Sequence, residues 1–168
     1  ENYCDSKVEW LGSIPAHWEL GKIGSLFTER KTKVSDKVYP PLSVTKQGIM
    51  PQLEHAAKSD DSDNRKLVCA GDFVINSRSD RKGSCGLSDF TGSVSLINIA
   101  LLPGDLLHKR YVHYLPGCHP FSEEYYRLGK GIVADLWTTR FTEMKSIYIP
   151  VPPKDEQDQI ARFLDWKI

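Results

Sequence analysis

The sequence has few of the residues on which metal sites and disulfide frameworks depend. Its 168 residues include four cysteines, and no two of them form a C-x-x-C pair. This spacing argues against a structural zinc site. The segment Glu1–Trp10 is acidic and has no apolar core, so we expect no signal peptide. We therefore expect reduced thiols and a cytoplasmic location.

Long apolar runs and net charge are also absent. The longest nearly uncharged run, Gly83–Gly104, still contains Asp89 and several Ser, Thr and Asn residues. Such a run cannot cross a bilayer as a helix, so no membrane association is predicted. The 22 basic residues are balanced by 22 acidic residues, which argues against a polycation that coats nucleic acid without selection. Length and composition are those of one globular domain.

Catalytic motifs are missing as well. The sequence contains no G-x-x-x-x-G-K-[ST] phosphate loop, no H-E-x-x-H and no G-x-S-x-G. No strand is followed by a glycine-rich turn suited to S-adenosylmethionine, and the five histidines lack metal-ligand spacing. We therefore predict no catalytic residue, no metal and no cofactor in this chain.

One enzymatic alternative stays open. Asp135, Glu143 and Lys145 fit the loose acid…acid-x-Lys arrangement of metal-dependent nucleases, in which two carboxylates hold Mg²⁺ and a lysine assists the attacking water. The acid-x-Lys pattern occurs five times in the sequence, where chance alone predicts about two. The pattern is therefore weak evidence for a nuclease site.

The basic residues that are present are unevenly distributed. Residues 20–82 hold twelve basic and eight acidic residues, a local excess of +4. Two clusters lie there, Arg30-Lys31-x-Lys33 and Arg78-x-x-Arg81-Lys82. Clusters of this kind are usually solvated surface. The alternative is contact with phosphates, from which cations release condensed counterions.

Apolar spacing and turn residues predict a chain that mixes helices and strands. Loops are predicted at 57–64, 76–88 and 129–131, the last two containing both glycines and cations. The predicted helices are 23–30, 106–115, 121–128 and 154–168. The predicted strands are 39–45, 73–75 and 94–102, with an extended edge or connection at 147–153.

The final predicted helix has its own pattern. Asp155 and Glu156 suit the positive end of the helix dipole. Ile160, Leu164 and Ile168 follow at intervals of four residues, with Phe163 alongside. This apolar stripe fits either a terminal helix packed on its own core or the start of a longer helix.

Four blocks, taken in order, resemble a target recognition domain of a type I restriction–modification specificity subunit. The resemblance covers nearly the whole chain. The blocks are Trp10-Leu-Gly-x-Ile-Pro15-x-His-Trp18, Pro41-Leu-Ser-Val-Thr45, Gly71-Asp-Phe-Val-Ile-Asn-Ser-Arg78 with Arg81 and Gly83–Ser88, and Ile149-Pro-Val-Pro-Pro153-x-x-Glu156-Gln157-x-x-Ile160-Ala161-x-Phe163-Leu164-Asp165.

The resemblance implies an α/β fold of the α+β type, with a curved, mostly antiparallel sheet and flanking helices. Residues 1–153 would form the DNA target recognition domain, and 154–168 the start of a long conserved coiled-coil spacer helix. Such a domain is not an enzyme, and it reads one half of a bipartite duplex target. The chain would represent one of the two recognition domains of such a subunit.

The resemblance also implies the partners. Methyltransferase subunits would dock on the specificity subunit and bind S-adenosylmethionine, and a restriction motor subunit, engaged indirectly, would use ATP and Mg²⁺. A homodimer through the final helix is a further expectation. The residues expected to serve these partners in the helix are Gln157, Ile160, Phe163, Leu164 and Ile168.

Residue chemistry and the resemblance together predict a set of DNA-binding side chains. Arginines and lysines suit phosphates or guanine, Gln47 and Asn76 suit adenine edges, and Ser79 suits a phosphate. Trp137 is interpreted as a packing anchor. The predicted DNA-binding residues are Lys31, Lys46, Gln47, Asn76, Arg78, Ser79, Arg81, Lys82, Lys130, Thr138 and Arg140.

Overall fold

A computed structural model describes residues 2–52, 62–133 and 136–168 of the chain. The predicted loop at 57–64 therefore falls mostly outside the described residues, as does Asp135 of the nuclease alternative. The described residues form short strands and helices, and every pairing between two named strands is antiparallel.

The strands share a length of two to six residues. They are β1 (Tyr3–Asp5), β2 (Ser13–Pro15), β3 (Glu19–Lys22), β4 (Phe27–Arg30), β5 (Lys33–Val34), β6 (Leu42–Thr45), β7 (Gly48–Pro51), β8 (Arg65–Val68), β9 (Phe73–Asn76), β10 (Cys85–Leu87), β11 (Gly92–Val94), β12 (Asn98–Pro103), β13 (Lys130–Val133), β14 (Leu136–Thr138) and β15 (Tyr148–Val151). The helices are α1 (Ile23–Leu26), α2 (Lys109–Tyr114), α3 (His119–Arg127), α4 (Phe141–Met144) and α5 (Lys154–Lys167).

The central sheet has the order β10-β9-β12-β4 and is covered on both faces. Because side chains alternate along a strand, Phe73 and Ile75 of β9 enter one core cluster, while Val74 enters the other. The first cluster receives side chains from all of α1 to α4. The second packs β6, β7, β8 and β11 against the sheet. Fully burying one such apolar side chain contributes about 1.5–3 kcal/mol, so the two clusters fix β9 firmly.

The sequence predictions for β6, β9, α2, α3, β15 and α5 are confirmed to within a few residues. The prediction of a mixed α/β fold with antiparallel strands is confirmed as well. A coiled coil beyond α5 stays a prediction. Among the described helices, none is long and apolar enough to cross a membrane.

The helix predicted over 23–30 is wrong in its second half. Only one helical turn, α1, forms, and Phe27–Arg30 is the strand β4, paired with Ala100–Pro103 of β12. Pairing with a distant strand overrides the local helical spacing. Gly24 permits the preceding turn, because a Cβ there would lie 2.9 Å from the Cβ of Lys145.

The strand predicted over 94–102 is in fact two strands. β11 and β12 are separated by a turn in which the backbone N–H of Asn98 donates to the carbonyl of Ser95 at 3.1 Å. The Asn98 side chain also donates to the Ser95 hydroxyl at 3.1 Å. The two strands join different sheets. The apolar composition thus predicted extended structure correctly, but it did not reveal the turn.

The helix α5 is docked on the domain through a buried glutamine. Gln157 has no exposed surface. Its Oε1 accepts the backbone N–H of His108 at 2.7 Å, and its Nε2 donates to the carbonyls of Leu106 at 2.9 Å and Pro152 at 2.7 Å. The interpretation of Gln157 as a partner contact is therefore corrected, because its side chain is fully used inside the domain.

We expect Gln157→Ala to lower the free energy of unfolding by roughly 2–4 kcal/mol, since it leaves one backbone donor and two backbone acceptors without their partner. Chemical denaturation measures this. The matched control is Gln159→Ala, two residues along the same helix and exposed, which is expected to change stability little. Equal effects of the two substitutions would contradict this role of Gln157.

Candidate nucleic-acid interface

An open groove of about 730 Å³ lies between the β6–β7 hairpin and the segment that follows β9. We call it the β6–β9 groove. It brings together five of the predicted DNA-binding residues from two segments that are about thirty residues apart in sequence. These residues are Lys46, Gln47, Asn76, Arg78 and Arg81.

The tip of the β6–β7 hairpin forms one wall of the groove. Lys46 and Gln47 occupy the turn and are exposed. The Thr45 hydroxyl donates to the Gly48 carbonyl at 2.8 Å and accepts the backbone N–H of Gln47 at 3.1 Å. Gly48 has φ +116°, a conformation that favours glycine. The turn is thus held by its own hydrogen bonds and presents both long side chains to the groove.

The opposite wall is a single 3₁₀ turn, Ser79–Arg81, at the end of β9. The side-chain Oδ1 of Asn76 accepts the backbone N–H of Arg78 at 3.0 Å. The carbonyl of Asn76 in turn accepts the Tyr126 hydroxyl at 2.5 Å. Because its amide oxygen already caps this turn, Asn76 orients Arg78 and is poorly placed to read an adenine edge with both of its amide atoms.

A second contact fixes the same turn from the β13–β14 hairpin. The Ser79 hydroxyl accepts the backbone N–H of Trp137 at 3.0 Å, and Ser79 is buried. Thr138 lies opposite Arg78 in an antiparallel bridge. The prediction that Ser79 binds a phosphate is corrected, because its hydroxyl supports the turn from inside the protein.

Arg78 and Asp80, which both line the groove, form a bidentate ion pair. The Nε of Arg78 donates to Oδ1 of Asp80 at 3.0 Å, and Nη2 donates to Oδ2 at 2.8 Å. Both side chains are about two-fifths exposed. Arg81 is exposed, and no carboxylate of the described residues lies within ion-pair distance of it. Of these two guanidinium groups, that of Arg78 is neutralised by a carboxylate of the described residues and that of Arg81 is not.

Arg65 also lines the groove, although it is not among the predicted DNA-binding residues. It is 6% exposed, and its guanidinium donates to the hydroxyl and the carbonyl of Ser93, each at 2.9 Å. Burial lowers the pKa of Arg65. Its position depends on the pairing of β8 with β11, a non-local contact for which the sequence carries no local signal.

Other predicted DNA-binding residues lie away from the groove lining. Lys82 places its ammonium 5.9 Å from the ring centre of Trp137 and 3.6 Å from a Glu123 carboxylate oxygen. Lys130 is exposed on β13, in the register pair with Thr138, so the predicted loop at 129–131 is partly a strand. Lys31 is exposed between β4 and β5.

The first basic cluster also contains a structural residue. Arg30 pairs with Asp72, Nε to Oδ2 at 2.6 Å and Nη2 to Oδ1 at 3.1 Å, and Asp72 has no exposed surface. The hydrogen bonds that Arg30 donates to Asp72 raise the pKa of Arg30. Arg30 is therefore part of the framework that supports β9, and it is not available for phosphate contact.

Trp137 is confirmed as a packing anchor. It is half-buried, and its indole N–H donates to the carbonyl of Tyr126 at 2.5 Å. A Cβ at Gly129 would lie 2.0 Å from the indole ring, so this glycine is required for the close approach.

The residues of the nuclease alternative are not gathered into a site by the described part of the chain. The Glu143 carboxylate accepts the guanidinium of Arg140 at 2.9 Å and the backbone N–H of Arg140 at 3.1 Å, which caps α4. The hydrogen bond from Arg140 lowers the pKa of Glu143. Arg140, predicted to bind DNA, thus pairs with the carboxylate that caps α4 while its side chain stays exposed.

The apolar residues of α5 are divided between two sides. Leu164 and Ile160 are half-buried, whereas Phe163, Trp166 and Ile168 are 56%, 75% and 88% exposed. The rings of Phe163 and Trp166 are 6.3 Å apart. Phe163 and Trp166 therefore form an exposed aromatic pair, which we call the α5 aromatic pair. The predicted apolar stripe did not include Trp166.

All four cysteines carry free thiols. Cys85 is buried in the first core cluster, and this burial raises its pKa to about 12.

The fold of this chain is similar to the folds of several solved structures. An HsdS subunit from Thermoanaerobacter tengcongensis is matched over 98% of this chain and 39% of its own, with 17% identity and a TM-score of 0.61. The type I restriction–modification S subunit from M. genitalium is matched over 89% and 38%, with 20% identity and a TM-score of 0.62.

A structure described for complex assembly and conformational transition of the type I R-M system is matched over 91% of this chain and 38% of its own. The identity is 18% and the TM-score 0.65. The chain thus spans about two-fifths of the length of these structures. No curated protein matches.

The sequence profile of the type I restriction modification DNA specificity domain matches residues 15–166. This match covers nearly the whole chain, in agreement with the fold. The chain belongs to the family of type I restriction modification DNA specificity domains.

Proposed function

We propose that the chain is a non-catalytic reader of duplex DNA and that the β6–β9 groove contacts the DNA. The observation that carries the proposal is the convergence of Lys46, Gln47, Arg78 and Arg81 on two braced turns facing each other. Cations supply attraction to the backbone, and amide and guanidinium groups can pair with base edges. Both kinds of group are needed for sequence-specific binding.

The balance of charge favours selective over general binding. The chain has a formal net charge of zero, so its attraction to DNA depends on a few cations at the groove. Arg81 is the strongest candidate for a phosphate contact, because it is exposed and uncompensated. Family membership supports a role in reading one half of a bipartite target.

Selection from a duplex pool with ten randomised base pairs tests this proposal. We expect the chain to enrich a short motif, with affinity for it falling as salt rises because counterions are released. The enriched duplex should bind more tightly than a scrambled duplex of equal length. Recovery of unselected sequences, with equal affinity for both duplexes, would refute the proposal.

The α5 aromatic pair supports docking of a methyltransferase subunit as a second part of the function. Exposed aromatic side chains are enriched among the residues that dominate binding at protein interfaces. In this proposal the partner subunits carry the chemistry with S-adenosylmethionine, ATP and Mg²⁺, and the assembly is cytoplasmic. A homodimer through α5 is the competing use of the same surface.

We expect the double substitution Phe163→Ala, Trp166→Ala to weaken binding of the modification subunit by at least about tenfold. Co-purification and titration of the two subunits measure this. The double substitution Phe90→Ala, Leu106→Ala is the matched control, because it removes two other exposed apolar side chains. Undiminished binding by the α5 variant would exclude this docking surface. A concentration-dependent dimer of the chain, lost in that variant, would indicate self-association instead.

A further inference from the structure

We infer that Arg78 reads a guanine through the major groove and that Asp80 is the residue that positions it. This inference rests on the DNA recognition proposed above. It goes further by assigning one base of the target and a specificity role to an acidic residue of the groove.

The geometry of the ion pair leaves one edge of the guanidinium open. Asp80 accepts one N–H from Nε at 3.0 Å and one from Nη2 at 2.8 Å. A guanidinium has five N–H donors in a planar fork. The three that remain are both donors of Nη1 and the second donor of Nη2. One from each terminal nitrogen points outward, so the free edge presents two parallel donors.

Guanine is the base whose major-groove edge matches two parallel donors. Its N7 and O6 both accept, whereas adenine pairs an acceptor with a donor at the same place. Two parallel donors therefore satisfy guanine fully and leave one donor opposed by the amino group of adenine.

The charge of the pair disfavours a phosphate at Arg78. A carboxylate 2.8 Å from the guanidinium cancels its charge, and a phosphate on the outer edge would lie close to a second anion. The base edge is uncharged, so it meets the same donors without that repulsion. Arg81 has no such partner within the described residues, which separates the two arginines into a base contact and a phosphate contact.

The turn that carries the pair is braced on both sides. Asn76 accepts the backbone N–H of Arg78 at 3.0 Å, Ser79 accepts the N–H of Trp137 at 3.0 Å, and Arg81 donates its N–H to the carbonyl of Arg78 at 3.0 Å. The guanidinium of Arg78 is thus held by Asp80, and its backbone is held by the hydrogen bonds of the turn. A reader fixed before binding loses little side-chain entropy on binding, and this favours selectivity.

The test replaces each guanine of the enriched duplex in turn with 7-deazaguanine, which lacks the N7 acceptor. At one position we expect the replacement to weaken binding of the unsubstituted chain about tenfold. The same replacement should have little effect on binding by Arg78→Ala, which offers no donor to the base. Arg81→Ala should bind every duplex more weakly but retain the full 7-deazaguanine effect.

Asp80→Asn distinguishes positioning from simple repulsion. We expect it to reduce the preference for guanine at that position and to raise affinity for scrambled duplex, because a negative charge is removed and the fork is released. If a motif is enriched but the 7-deazaguanine effect is the same with and without Arg78, or no guanine is sensitive, the inference is overturned and DNA recognition stands. If no motif is enriched, both fail.

Discussion

Arg30→Ala is expected to lower the free energy of unfolding by about 3–5 kcal/mol, because it leaves a fully buried carboxylate without its counterion. Asp72 has no exposed surface, and its remaining hydrogen bond comes from the backbone N–H of Cys69 at 2.9 Å. The pair joins β4 to the turn that precedes β9. Its loss should therefore affect the strand that leads into the groove.

Chemical denaturation followed by tryptophan fluorescence measures this effect. Arg127→Ala is the control, since Arg127 forms an exposed ion pair with Glu124 on one helix, and surface pairs of this kind contribute little. Adding Asp72→Asn to Arg30→Ala should recover part of the lost stability, because the buried charge is then gone. A loss no larger for Arg30→Ala than for Arg127→Ala would contradict the framework role of Arg30.

The double substitution Arg78→Ala, Arg81→Ala is expected to lower affinity for the enriched duplex at least about 30-fold. Each arginine in contact with DNA is worth about 1–3 kcal/mol, and every 1.4 kcal/mol is a factor of ten. Electrophoretic mobility shift or fluorescence anisotropy at fixed salt measures the change. The slope of log affinity against log salt should also become shallower, because a phosphate contact is lost.

The control for this loss is Arg162→Ala, Lys167→Ala, which removes the same charge from α5. Neither residue lines the groove, so a smaller change is expected. Equal losses in the two double variants would mean that net charge, and not the groove, determines binding.

The first and the last of the four sequence blocks are in contact in the structure. Nε2 of His17 lies 2.8 Å from both carboxylate oxygens of Glu156, and the indole N–H of Trp18 donates to Glu156 at 3.1 Å. Residues of the first and last blocks therefore support each other. Together with Gln157, they hold the start of α5 against the domain.

The local sequence predicted those helices and strands whose residue types favour the structure that they adopt. The β-branched run of β9 and the prolines beside β15 could be interpreted without knowledge of their neighbours. The extended form of Phe27–Arg30 could not be predicted in this way, because it depends on pairing with β12, seventy or more residues later. The turn at Ser95 was hidden by the apolar residues on both sides of it.

The candidate site could be predicted only in outline. The cations Arg78 and Arg81 were predicted from residue type and clustering, and Lys46 from residue type alone. Their roles were not, since a role depends on partners: Asp80 neutralises Arg78, and Trp137 uses the hydroxyl of Ser79. Arg65 was missed, because its burial against Ser93 arises from strand pairing.

Photo-crosslinking from the groove tests the central claim most directly. A benzophenone amino acid at Gln47, the exposed tip of the β6–β7 hairpin, should crosslink to the enriched duplex and much less to a scrambled one. The same group at Tyr3, which is 61% exposed on β1 and does not line the groove, is the control. We predict a sequence-dependent crosslink at Gln47 and little at Tyr3. Efficient crosslinking from Tyr3 with none from Gln47 would contradict the assignment of the β6–β9 groove as the DNA-reading surface.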